Sequence, residues 1–139
     1  MVENFENIKD VLALAIRLEN LCEGFDETNK SAVLTSKVKV LLELSKAERV
    51  TPNVLKNNVG LAKSNIAILC NSLVKEKLIE KNRDSFDTRE ISYSLTDEGK
   101  EFVNAYLLKA RKNFEGQLAY KDNMKEVNQA VKDLNELIN

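Results

Sequence analysis

Histidine is absent from this sequence. Its lack removes the commonest general base and, with it, Ser-His and Cys-His nucleophilic catalysis. The two cysteines, Cys22 and Cys70, have no CxxC spacing and no histidine to join them, which argues against a structural zinc site. Glycine (4) and proline (1) are scarce, so long loops and low-complexity linkers are not expected. No apolar run approaches the roughly 20 residues that a membrane span needs. The start, Met1-Val2-Glu3-Asn4-Phe5-Glu6, is acidic and lacks the apolar segment of a signal peptide, which points to the cytoplasm. No motif of a carboxylate or lysine enzyme stands out, so the sequence is read as a non-enzyme needing no cofactor and no metal.

What remains is an ordinary globular composition, 43% apolar and 31% charged, over 139 residues. That length suits one domain, or one small domain with helical extensions. The net charge of −1 is unevenly spread. Residues 1–33 hold 3 basic and 7 acidic side chains, residues 34–95 hold 11 and 7, and residues 96–139 hold 7 and 8. A basic centre between acidic flanks is what a chain shows when only its centre meets phosphate. Chance variation in surface charge gives the same pattern.

Hydrophobic periodicity sets the order of elements. Phe5, Ile8, Val11 or Leu12, Ala15, Leu18 and Leu21 recur at three- and four-residue steps, a helix from about Glu3 to Glu23 that stops near Gly24. A second helix covers Thr35 to Lys46, with Val38, Leu41, Leu42 and Leu44 inward. Thr51 caps a short third helix, Pro52 to Asn58, with Pro52 at the first helical position. Gly60 interrupts it, and a fourth helix runs from Lys63 to Lys77. Two short helices joined through a glycine turn are the mark of a helix-turn-helix. The period then changes. Leu78–Arg83 and Glu90–Leu95 read as strands, with Ile91, Tyr93 and Leu95 alternating with polar residues. Thr96 caps a long fifth helix, to about Ala119, with Asp97 and Glu98 in its first turn, where acids favour the dipole. A last helix spans Asn123 to Ile138. The expected fold is mainly α with a small β-hairpin wing (α+β), a winged helix-turn-helix over residues 34–96. Helices in residues 1–33 and 97–139 form a dimerisation region, because their apolar stripes exceed what one small winged domain can cover.

The sharpest motif is Arg83-Asp84-Ser85-Phe86-Asp87-Thr88-Arg89, followed by Leu95-Thr96-Asp97-Glu98-Gly99. It resembles the wing signature of the MarR family, D-x-R, a short strand, then L-T-x-x-G. Val59-Gly60-Leu61-Ala62-Lys63-Ser64-Asn65-Ile66 is similar to that family's turn into its recognition helix, and the element order matches along nearly the whole chain. The resemblance implies a homodimer joined by first and last helices, a fourth helix in the major groove of double-stranded DNA and a wing arginine in the adjacent minor groove. It also implies an unidentified small-molecule effector, or a cysteine sensor, that releases the DNA. The sequence departs from the pattern at Ala62, where a capping Ser or Thr is common, at Ile68, where many members have arginine, and at Lys77, where glycine usually precedes the apolar pair.

The residues themselves support part of this. Arg89, near a hairpin tip, suits the negative potential of a narrow minor groove. Asp87, two residues away on the same face, can pair with Arg89 and aim it, or the two can form a plain surface salt bridge. In the fourth helix Ile66, Leu69, Cys70 and Leu73 take core spacing, which turns Lys63, Ser64, Asn65, Ala67, Ile68, Asn71, Ser72 and Lys75 outward. Lys63, Ser64 and Asn65 stand at the helix N-terminus, where base edges or phosphates are met. Asn71 suits adenine, and Ala67 and Ile68 suit thymine methyls. The alternative for each is a solvated polar face, or for Ala67 and Ile68 a protein contact. Arg83 flanks the wing, and Lys37, Lys39, Lys46, Arg49, Lys56, Lys75 and Lys81 are further candidates for phosphate. Cys22 has Glu19 and Glu23 nearby, which disfavour a reactive thiolate, so it reads as packing. The leading function is thus a sequence-specific, DNA-binding transcriptional regulator, a homodimeric repressor. The alternative, from the near-neutral charge and the arginine-free fourth helix, is a winged-helix protein-interaction module that has lost DNA binding.

Overall fold

The structure, a computed structural model, describes the backbone of residues 2–23, 35–83, 90–118 and 124–138, and side chains within those spans except at 2–7, 20–23, 113–118, 124 and 138. The elements follow the order α1 (Val2–Glu23), α2 (Ser36–Leu44), α3 (Pro52–Val59), α4 (Lys63–Lys75), β1 (Ile79–Arg83), β2 (Ile91–Leu95), α5 (Asp97–Leu118) and α6 (Met124–Ile138). β1 and β2 pair antiparallel, from Ile79 opposite Leu95 to Arg83 opposite Ile91.

The helix starts are written in short polar side chains. Thr35 and Thr51 sit in extended conformation and accept hydrogen bonds at 3.3 Å from the backbone N–H groups of Val38 and Val54. Thr96 does the same for Gly99 at 3.0 Å. Each bond satisfies one donor that a helix N-terminus leaves without an intrahelical acceptor. Gly60 ends α3 in the left-handed region (φ +77), and its N–H reaches Lys56 O at 3.0 Å.

One core gathers Val40, Leu41 and Leu44 of α2, Leu55 of α3, Ile66, Cys70 and Leu73 of α4, Ile79 and Tyr93 of the hairpin, and Val103 of α5. Each large aliphatic side chain so buried contributes about 1.5–3 kcal/mol relative to exposure. Val38, Tyr106 and Ala110 form a smaller cluster that ties α2 to α5, with Leu42 and Phe102 against it. The expected inward set of α2 thus holds for Val38, Leu41 and Leu44, while Leu42 is half-buried and Val40 joins the core unforeseen. Val50 also forms an isolated antiparallel bridge to Tyr93, with N–O distances of 2.9 and 2.8 Å. That pairing fastens the loop before α3 to β2, and so fixes the helix-turn-helix against the wing.

α1 differs from the rest. Its described side chains are all exposed, among them Ile8, Val11, Leu12, Ile16 and Leu18. α6 likewise exposes Val131, Leu134 and Leu137, and the outer flank of α5 exposes Leu107 and Leu108. Among the described residues no helix is long and apolar enough to cross a membrane.

Candidate nucleic-acid interface

α4 presents two faces of opposite character. Ile66, Cys70 and Leu73 are fully buried and Leu69 is half-buried. Lys63, Ser64, Asn65, Ala67, Ile68, Asn71, Ser72 and Lys75 are exposed, as their spacing predicts. At about 100° per residue, Ser64, Ile68, Asn71 and Lys75 form one stripe almost opposite the core. The helix carries lysine at both ends and no acidic residue.

The N-terminus of α4 lacks a side-chain cap. Ala62 is in the extended N-cap conformation (φ −62, ψ 149) and its methyl accepts nothing. The backbone donors of Lys63, Ser64 and Asn65 therefore open onto the exposed surface at the positive end of the helix dipole, an arrangement that suits a phosphate oxygen. The other end is tightly closed. α4 stops at Lys75 rather than Lys77, because Leu78 N–H bonds Leu73 O (3.1 Å) and Lys77 N–H bonds Val74 O (3.0 Å). This paired Schellman geometry needs a left-handed residue, and Lys77 supplies it at φ +64.

The hairpin leaves directly from that cap. Thr96 binds it from the far side, since its hydroxyl donates to Lys77 O (2.7 Å) and its backbone N–H donates to Leu78 O (3.1 Å). Gly99 packs against the same backbone. A Cβ on Gly99 would overlap Leu78 O and lie 3.1 Å from both Leu78 C and Leu95 Cδ2. The L-T-x-x-G segment is thus a joint between α4, the wing and α5. Arg83, at the outer end of β1, is exposed. Asp87 and Arg89, with Phe86, lie outside the described residues, as do Gly24 and the side chain of Cys22.

Two of the lysines considered for phosphate are engaged within the protein. Lys37 Nζ lies 3.0 Å from Glu76 Oε1 and 5.3 Å from the centre of the Phe102 ring. It joins α2 to the C-cap of α4 and to α5. Lys46 Nζ lies 2.8 Å from Glu43 Oε1, and Asn58 donates to Glu43 Oε2 at 3.0 Å. Partial burial pushes the Glu43 carboxyl up, but the hydrogen bonds from Lys46 and Asn58 and the charge of Lys46 outweigh it and hold the group below its ordinary value. Periodicity could not find the Lys37–Glu76 and Asn58–Glu43 ties, whose partners are 39 and 15 residues apart in sequence, whereas Lys46 and Glu43 are a local pair three residues apart. Burial pushes the Cys70 thiol up to about 11, which leaves it protonated and inert at neutral pH.

Among the described residues, no group of three or more His, Cys, Asp or Glu could hold a metal ion. Several open cavities flank the winged core. One, about 790 Å³, lies between the wing and the start of α5, where Lys77 and Lys81 face Glu80, Asp97 and Glu98. A cleft of about 410 Å³ lies between α2, α3 and α5, lined by Leu42, Val59 and Leu107 with Lys39, Glu43 and Asn58.

The whole chain is similar in fold to solved winged-helix regulators. It matches BldR of Sulfolobus solfataricus at 17% identity and TM-score 0.72, over 94% of this chain and 95% of BldR. It matches apo MarR of E. coli at 16% identity and TM-score 0.69, over 94% of this chain and 96% of MarR. For Bordetella bronchiseptica BpsR, whose DNA binding is regulated by 6-hydroxynicotinic acid, the values are 18% and 0.65, over 96% of this chain and 99% of BpsR. At these identities the likeness establishes a MarR-like winged-helix fold. No curated protein matches the chain by sequence. Residues 28–106, from before α2 to the middle of α5, match the sequence profile of the transcriptional regulator SarA/Rot family. With the helix-turn-helix, the wing and its glycine joint all inside that span, the chain belongs to the SarA/Rot family of winged-helix transcriptional regulators.

Proposed function

We propose that this regulator is a homodimer that binds double-stranded DNA with α4 in the major groove and the wing in the minor groove, and that it acts as a repressor. The observation that carries this reading is the outer face of α4. It has short polar side chains, a lysine at each end, no acid, and an open N-terminus. In this reading Lys63, Ser64, Asn65 and Asn71 meet base edges or phosphates, with Ala67 and Ile68 beside them, and Arg83 meets backbone. Arg89 enters the minor groove, aimed by Asp87.

The exposed apolar residues of α1, with those of α6, support a dimer, since a second copy offers the same surface and closes a two-fold interface. Residues 1–33 and 97–139 then form the dimerisation region and residues 34–96 the DNA-binding domain. Two-fold symmetry sets the α4 helices to read half-sites about 10 base pairs apart. The α2–α3–α5 cleft has a volume suited to a small-molecule effector, and BpsR responds to one. The protein works in the cytoplasm, where its DNA is.

Fluorescence anisotropy tests the reading, using duplex DNA from upstream of the protein's own gene with scrambled competitor and a salt series. Competitor-resistant binding that weakens steeply with salt is expected. Binding to a protein partner with little salt dependence, and none to DNA, would instead mark an interaction module. Arg89→Ala should weaken DNA binding while sedimentation still shows a dimer, and unchanged affinity removes the wing from the mechanism.

A further inference from the structure

Ile68 is the one large apolar side chain on the outer face of α4, 69% exposed and almost opposite the buried Ile66–Cys70–Leu73 face. Solvation is the ordinary fate of a polar residue there, but an isoleucine in water gains nothing by it. Its neighbours on the stripe are Ser64 and Asn71, one turn to either side, with Ala67 adjacent. These are short side chains that leave the isoleucine projecting furthest. One isoleucine and one alanine are far too small a patch for a stable protein interface, which needs about 800 Å² from each partner. The surround of lysine, serine and asparagine without acid favours nucleic acid over protein.

We infer that Ile68 is a specificity-determining residue that reads the C5-methyl group of thymine in the major groove, with Ala67 alongside and Asn71 placed for a base edge one turn on. The inference rests on the DNA-binding reading above and gives it a chemistry of recognition. In the major groove the thymine methyl is the only apolar feature a base pair presents, so an apolar side chain at the centre of a reading helix selects T over C at the position it touches. Arginine at this point would select guanine through two hydrogen bonds. Isoleucine forgoes hydrogen bonding and gains a desolvated methyl contact. Burying one methyl is worth about fourfold in affinity.

The test uses the intact protein and duplexes recovered from a random 30-base-pair pool by repeated binding and amplification. In the best duplex each thymine is replaced in turn by deoxyuridine, which removes only the methyl group. Wild-type protein is expected to lose about fourfold at one or two positions per half-site. The Ile68→Ala variant should show no T-against-U difference at those same positions while keeping the discrimination made elsewhere. Because Ile68 lies on the surface, that variant should unfold at the wild-type temperature. Recovery of a tightly bound duplex in which T and U are equivalent everywhere overturns the inference and leaves the DNA reading standing. So does an Ile68→Ala variant with an unchanged T-against-U ratio, or one that binds the duplex normally but loses association with a protein partner. Failure to recover any duplex overturns both.

Discussion

Gly99→Ala adds one methyl group where three elements meet. Gly99 is the third residue of α5, buried, and its N–H already bonds Thr96 Oγ1 at 3.0 Å. The new Cβ would overlap Leu78 O, a backbone atom fixed both by the α4 cap and by the Thr96 N–H at 3.1 Å. Leu78 cannot rotate away as a side chain can, so α5 must lift from the base of the wing. Overpacking of this kind costs about 1–3 kcal/mol, and the strained Thr96–Leu78 hydrogen bond adds about 1 kcal/mol. Alanine is the better helix former by about 1 kcal/mol, which offsets part. The net expectation is a loss of about 1–3 kcal/mol, with about 2 kcal/mol as its centre, a fall in Tm on the order of 8 °C for a chain of this size. Urea unfolding followed by far-UV circular dichroism, at one fixed protomer concentration, measures it. Gly60→Ala is the control. Nothing lies within 4 Å of a Cβ there, and only the left-handed φ of +77 is strained, at about 1 kcal/mol. A Gly99→Ala protein within 0.5 kcal/mol of wild type, or no less stable than Gly60→Ala, would refute the close-approach argument.

Four further outcomes are expected. Lys77→Gly removes a lysine from φ +64 and should raise stability by about 0.5–1 kcal/mol in the same assay, without changing the m-value. Ala62→Ser supplies the missing cap of α4 and should stabilise by about 1 kcal/mol, and a serine hydroxyl that takes the place of a phosphate should weaken DNA binding in the anisotropy assay. In a Cys22→Ser background, native Cys70 should resist a thiol reagent at pH 8 and react fully in urea. Its folded pKa of about 11 lies above the unfolded value near 9, so its contribution is intact below pH 9 and is lost as pH rises towards 11, a decline that Cys70→Ala should lack. If the proposed dimer forms through α1, Leu12→Glu, on its exposed apolar run, should give a monomer in analytical ultracentrifugation while leaving the winged core folded.

Most of the architecture was legible because it rests on local chemistry. Thr35, Thr51 and Thr96 each precede a helical period, Pro52 and Gly60 punctuate it, and Ile91, Tyr93 and Leu95 alternate as a strand must. The outward face of α4 followed from the same arithmetic, since Ile66, Cys70 and Leu73 can only point one way. Boundaries slipped where a cap competes with the period. Lys77 continues the helical pattern of α4, yet it becomes the left-handed residue of a Schellman closure that depends on Thr96, 19 residues later. The candidate phosphate lysines divided for a related reason. Lys37 looks the same as Lys75 in sequence, and only the packing of α2 beside the end of α4 and α5 ties it to Glu76, whereas Lys46 stays exposed and pairs with Glu43 one turn away.

By itself, then, the sequence determined the order of helices and strands, the polarity of the α4 face and the reach of apolar stripes beyond one domain, because each is a periodicity within a single segment. The tertiary structure alone decided that Val50 pairs with Tyr93, that Lys37 holds Glu76, and that Gly99 must be glycine for want of space rather than for its φ. Those facts depend on atoms brought together across the chain, where distance in sequence says nothing about distance in space.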